Sequence, residues 1–443
     1  MALCLLLSVA DGEATFEYAE GTRTIEKVYL VSGTSSVEVP RDATSIKSST
    51  ESDSAFNTIR DAVTTIFFQK DSQIRFLSPY TFINCKVLET IDMGNCMKLK
   101  SIESYCFKSC EKLRSVVFPP NLVEIGEYAY YLCKMLRSVQ VPNTTTTLQS
   151  NAFRECQSLK TFYISRGLTT IGVSCFARCF KLEEMPVVEE NNLIRYDDYC
   201  LGATILKELT IPKSLEYLGI AVLEGVETIE RIIVEHPDYE YDSSGILYSK
   251  NKNTLIFVLA HVTGVVNVTS SVSVVQSHAF KKCQHVTQIH FPVATTKFSG
   301  KDHFAYCTSL SSVTLPSELR SIPTSMFLGC ASMTRIEVPA TVSSIGPNAF
   351  SECSSLGWLW IGPNVTQFGE NCFTGTPFSE CSSGRAPRAS RRGATCTRPT
   401  TRPSSPSSAP AAALPSRGTR RTSTATRTRE RRSRASHLNQ TRR

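Results

Sequence analysis

CFKSCEKL at residues 106–113 returns as AYYLCKML at 129–136, AFRECQSL at 152–159 and CFARCFKL at 175–182. It resumes as AFKKCQHV at 279–286, FAYCTSL at 304–310, MFLGCASM at 326–333 and AFSECSSL at 349–356. The thiol column is Cys110, Cys133, Cys156 and Cys179, then Cys283, Cys307, Cys330 and Cys353. Its steps are 23, 23 and 23 in the first run and 24, 23 and 23 in the second. A fixed period in the twenties marks a solenoid, in which one supersecondary unit stacks on its own copy.

The stretch LRSVVFPPNLVEIGEYAYYLC, residues 113–133, gives the coil its parts. Leu113, Val116 and Phe118 share a side and end in period-2 alternation, which predicts a short strand closed by Pro119. Leu122 and Ile125 follow, and Gly126 is expected to permit a tight turn. Tyr130 and Cys133 then face inward from a short helical or 3₁₀ turn. An aromatic column runs through Phe82, Phe107, Tyr130, Phe153 and Phe176, then Phe280, Phe304, Phe327, Phe350 and Phe373. Near 200 the frame slips, with Tyr199 or Cys200 in the aromatic slot. The expected fold is a β-rich α/β solenoid, a right-handed superhelix or horseshoe of about a dozen 23-residue coils with short parallel strands.

Three segments follow: an N-terminal segment at 1–35, the solenoid at 36–380 and a tail at 381–443. The solenoid is interrupted at about 237–262. There SSGILYSKNKNTLIFVL, residues 243–259, reads as a hairpin with a polar turn projecting from the edge of the stack. The first residues, ALCLLLSVADG, read either as a weak signal peptide cleaved after Ala10 or as a first strand. No apolar run reaches the ~20 residues of a membrane helix. Residues 384–443 carry sixteen arginines and one acid, Glu430, a net +15, so residues 1–383 carry −7 against the +8 of the whole chain. The tail cannot bury a core. It reads either as an out-of-frame segment or as a basic arm for a polyanion.

These residues resemble the BspA-like leucine-rich-repeat surface proteins of bacteria and mucosal protists, whose repeat reads LxxIxIPxxLxxIGxxAFxxCxxL. The pattern runs from about 36 to 378, and SGILYSKNKNTLI is similar to the GxLYxKdkxxLixyP interruption between such repeats. The resemblance implies a leucine-rich-repeat solenoid with an extracellular binding or adhesin role, and it implies no particular ligand.

The chemistry expected is correspondingly thin. The pairs Cys106/Cys110 and Cys175/Cys179 have zinc-like spacing, but their first cysteine fills a slot held elsewhere by Ala129, Ala152, Ala279 and Ala349. They read as packing, and the thiol column as a reduced buried ladder, with Cys372 and Cys381 the one candidate disulfide. His278, His285, His290 and His303 read as scattered surface histidines. HExxH, GxSxG and GxxxxGK[ST] are absent. No cofactor, metal or small-molecule substrate is expected, and the chain reads as non-enzymatic.

Binding is expected on the strand face, through outward residues Tyr163, Ile233, His290, Glu337, Trp358 and Trp360. Trp358 and Trp360 flank inward Leu359 and read either as a hot spot or as the closing coil of the stack. Sequons begin at Asn143, Asn267, Asn364 and Asn439. The expected partner is a protein or an extracellular-matrix or glycan ligand, met at a cell surface or after secretion. The alternatives are an intracellular scaffold and nucleic-acid binding through the tail.

Overall fold

The computed structural model describes residues 14–187 and 192–377, with the backbone of two further strands, Leu7–Ser8 and Glu380–Ser383. The signal-peptide reading and both readings of the tail fall almost wholly outside these residues. The described chain is a parallel β-solenoid of about fifteen coils. Each coil contributes a longer strand such as Ser138–Gln140 or Arg335–Val338 and a two-residue strand such as Glu124–Ile125. Most strands pair in register with a counterpart in a neighbouring coil, as Ile125 does with Leu148 and Val139 with Phe162. An antiparallel hairpin, Ala14–Tyr18 with Thr24–Leu30, begins the stack and buries Phe16 against its end. The second strand of this hairpin joins the stack, pairing Thr24 and Ile25 in parallel with Ser45 and Ile46.

The expected helical turn is absent, and among the described residues there is no helix. In its place the segment 126–133 alternates two kinds of hydrogen bond. The amides of Ala129, Tyr131 and Cys133 bond three residues back, to Gly126, Tyr128 and Tyr130. Those of Tyr128, Tyr130 and Leu132 bond to Ser150, Ala152 and Arg154 of the next coil. The alternation requires left-handed backbone at Tyr128 (φ 55°) and Leu132 (φ 63°), and the same two positions recur in most coils. Gly126 is not a positive-φ turn. A Cβ there would sit 2.7 Å from the Ser104 amide nitrogen, so glycine is required by the approach of the preceding coil.

Within each run of coils the aromatic column is a ring stack, Phe82 to Phe176 and Phe280 to Phe373. Centroids of Phe107, Tyr130 and Phe153 lie 4.9 and 5.2 Å apart, nearly parallel. It lapses where the frame slips: Leu201 and Leu223, rather than Tyr199 or Cys200, fill the aromatic slot. The insertion does not project. Its strands Tyr239–Tyr241, Ile246–Ser249 and Thr254–Val258 are antiparallel, and the last rejoins the stack beside Val274–Val275. Leu247, Ile256, Phe257 and Leu259 pack into the first core, and Ile246, Tyr248, Leu255 and Val258 into the second. The insertion is thus a partition with an apolar surface on both sides.

Candidate functional site

The thiols come first because their spacing suggested chemistry. Fourteen cysteines are free and buried, Cys372 among them, so Cys372 forms no disulfide. Seven of the eight column thiols meet the carbonyl oxygen of the aromatic residue one coil earlier, as Cys133 Sγ meets Phe107 O at 3.2 Å and Cys330 Sγ meets Phe304 O at 3.1 Å; Cys283, after the insertion, meets Val258 O and Leu259 O instead. That oxygen already accepts an amide N–H from its own coil, as Phe107 O does from Cys110 N at 3.1 Å, so the thiol takes its second lone pair. Where the column ends, the Thr376 hydroxyl makes the same bond to Phe350 O. Burial pushes the thiols of Cys85, Cys96, Cys307 and Cys353 up to about 12. Such groups are protonated and unreactive. Cys106 and Cys175 are fully buried in the alanine slot, and no cluster placed to hold a metal ion occurs among the described residues.

The histidines are not all on the surface. His285 and His290 are exposed, whereas His278 and His303 are buried. His303 takes the alanine slot. Its Nε2 donates to Ser299 O at 3.0 Å, its Nδ1 has no partner, and burial pulls its pKa down to about 4. His278 joins the two runs of coils across the insertion. Its Nε2 lies 2.8 Å from Tyr199 Oη and 3.0 Å from Asp302 Oδ2, and its Nδ1 2.8 Å from Ser277 Oγ. Lys281 adds ion pairs to Glu224 and Asp302 at 3.5 and 3.4 Å. Burial pushes the Asp302 carboxyl up, but the His278 hydrogen bond and the Lys281 charge outweigh it and hold the pKa below its ordinary value. Ser277, His278 and Asp302 are residue types of a hydrolytic triad. Here the Ser277 hydroxyl donates to the Lys301 carbonyl and accepts the Lys301 amide, each at 3.0 Å, which is the bonding of a clasp.

The strand face supplies an open site. Along it, Val286–His290, Ser312–Thr314, Arg335–Val338 and Trp358–Ile361 bury alternate residues and turn the others outward. The outward side chains line a groove of about 950 Å³ that includes Gln288, His290, Thr314, Arg335, Glu337 and Trp358. Registers place His290 beside Thr314, Arg335 beside Trp358, and Glu337 beside Trp360. The structure thus brings His290, Glu337 and Trp358 together, with Trp360 half-buried alongside. Tyr163, on a coil well before the insertion, and Ile233, on the strand directly preceding it, are half-buried, pair with Gln140 and Thr210, and line no part of this groove. The spacing-based reading missed Gln288, Ser312 and Arg335. Gln288 and Arg335 lie two residues before His290 and Glu337, and strict alternation would have located them.

Some outward groups of earlier coils pair with one another across strands. Glu208 and Arg231, cross-strand neighbours, pair at 2.5 Å, and Thr90 Oγ1 donates to Thr65 Oγ1 at 3.3 Å. In the groove, the side chains of Gln288, His290, Thr314, Arg335 and Glu337 bond to no other described residue. Among the described residues, no helix is long and apolar enough to cross a membrane.

Comparison with known proteins agrees with this geometry. The family described as "BspA type Leucine rich repeat region" matches residues 25–154, 100–230 and 261–381. A leucine-rich cell surface protein from Faecalibacterium prausnitzii superposes with TM-score 0.64 at 21% identity, covering 86% of this chain and 95% of that one. The pneumococcal vaccine antigen PcpA superposes with TM-score 0.52 at 18% identity, covering 85% and 87%. No curated protein sequence matches.

Proposed function

Because this chain belongs to the BspA-type leucine-rich-repeat family, we propose that it is a non-catalytic recognition scaffold, an adhesin-type protein of a cell surface or secretion. It would mediate protein–protein or cell–matrix binding. The observation that carries this reading is the groove of unpaired outward side chains on four successive C-terminal strands. A rigid parallel stack presents such groups in a fixed array, so little ordering entropy is lost on binding. The likeness to a bacterial cell surface protein supports the fold on which the reading rests. His290, Glu337, Trp358 and Trp360 are the contact residues proposed here, with Tyr163 and Ile233 as a separate, weaker area. Labelling of intact producing cells with a membrane-impermeant reagent tests the location. The labelled chain is expected on the surface or in the medium, and a product labelled only after lysis would contradict it.

A further inference from the structure

We propose that the groove between Gln288 and Trp358 binds an uncharged, linear oligosaccharide. The inference rests on the reading of this face as the recognition surface and names its ligand. Three observations favour a sugar.

Trp358 is 36% exposed, and it and Trp360 are the chain's two tryptophans. An indole face is apolar and broad, the complement of the C–H face of a pyranose ring. Around it stand side chains with planar pairs of donors or acceptors: the Gln288 amide, the Arg335 guanidinium and the Glu337 carboxylate. Vicinal hydroxyls present donor and acceptor together and match such pairs. All three are unbonded to other described residues, so they meet a ligand without first breaking a protein contact.

Charge argues against a polyanion. Arg335 and Glu337 lie two residues apart on one strand and offset each other, and Glu318 lies at the groove's edge beside Arg320 at 3.7 Å. A surface for nucleic acid or sulfated glycan would carry a positive stripe. Composition argues against a protein hot spot, because Trp358 is the one large apolar side chain exposed in the groove. Length is also suitable. Four parallel strands at ~4.8 Å spacing span roughly 15 Å, the reach of a few pyranose units.

The test is a microarray of neutral and acidic oligosaccharides probed with the full chain, as wild type, Trp358→Ala and Glu337→Gln. Neutral linear oligosaccharides are expected to be retained, and retention should fall about tenfold in either variant, the scale of one lost hot-spot side chain. Should Trp358→Ala lower Tm, the exposed and isosteric Glu337→Gln carries the comparison alone. No retention, retention of acidic sugars only, or equal retention by wild type and Glu337→Gln would overturn the assignment. If sugars are not retained while Glu337→Gln still abolishes adhesion of the chain to cells, the ligand is wrong and the face is right. Adhesion indifferent to both variants would remove the face and the ligand together.

Discussion

The thiol of Cys156 donates to the carbonyl oxygen of Tyr130 at 3.2 Å, one coil earlier in the stack. The same oxygen accepts the Cys133 amide at 3.2 Å, so one carbonyl joins two coils. Cysteine suits the slot because it is small, apolar and still a weak donor.

This placement makes the protein sensitive to alkali. Folded thiols keep their protons to about 12 at Cys85, Cys96, Cys307 and Cys353, against an ordinary value of 9.0. Above pH 9 the unfolded chain releases those protons and the folded chain does not. The stabilisation is complete below that pH and declines as pH rises, by about 1.4 kcal/mol per unit for each thiol. Urea midpoints should hold between pH 7 and 8 and fall steeply from pH 9 upward, and the buried thiols should not react with a thiol reagent until unfolding.

His303 gives the opposite dependence. It is held neutral with a pKa near 4 against 6.5 when free. Its stabilising contribution is present above pH 6.5 and is lost as pH falls towards 4, about 3 kcal/mol in all. His303→Met, the residue of the next coil at this position, should flatten the urea midpoint between pH 6.5 and 4.

Tyr130 is fully buried in the aromatic stack and its hydroxyl has no partner. Tyr130→Phe keeps the ring and removes the orphaned group. It should raise stability by about 1–2 kcal/mol, seen as a higher urea midpoint at unchanged slope.

Ala203 lies in left-handed backbone with φ 54°, in the slot that Gly225, Gly329 and Gly375 occupy in other coils. Ala203→Gly removes one methyl and relieves that conformation, so it should stabilise by about 1 kcal/mol. A loss of stability would mean that the turn is not held as described.

The solenoid was legible because one coil's errors are corrected by the next: eight thiols and ten rings on a common step leave little freedom. The turn was misread because Tyr128 and Leu132 are not residues that signal left-handed backbone; the hydrogen bonds to the next coil impose it. The insertion was misplaced by its polar tip, Lys250–Asn253. The informative part was LIFVLA, apolar at every position, as a strand buried on both faces must be. His278 and His303 looked superficial because histidine is usually at least partly exposed, and their burial depends on Tyr199 and Ser299, which spacing does not connect. The groove was half legible: His290, Glu337 and Trp358 came from alternation, and Arg335 from the same rule applied one step earlier.

The most direct test of the strand face as the recognition surface is adhesion of beads coated with the full chain to a cultured cell monolayer. Wild type is to be compared with Glu337→Gln, in the groove, and with Glu352→Gln, an equally exposed change on the turn segment. The account predicts adhesion by wild type and Glu352→Gln and its loss in Glu337→Gln at equal Tm. Equal adhesion by all three would contradict it.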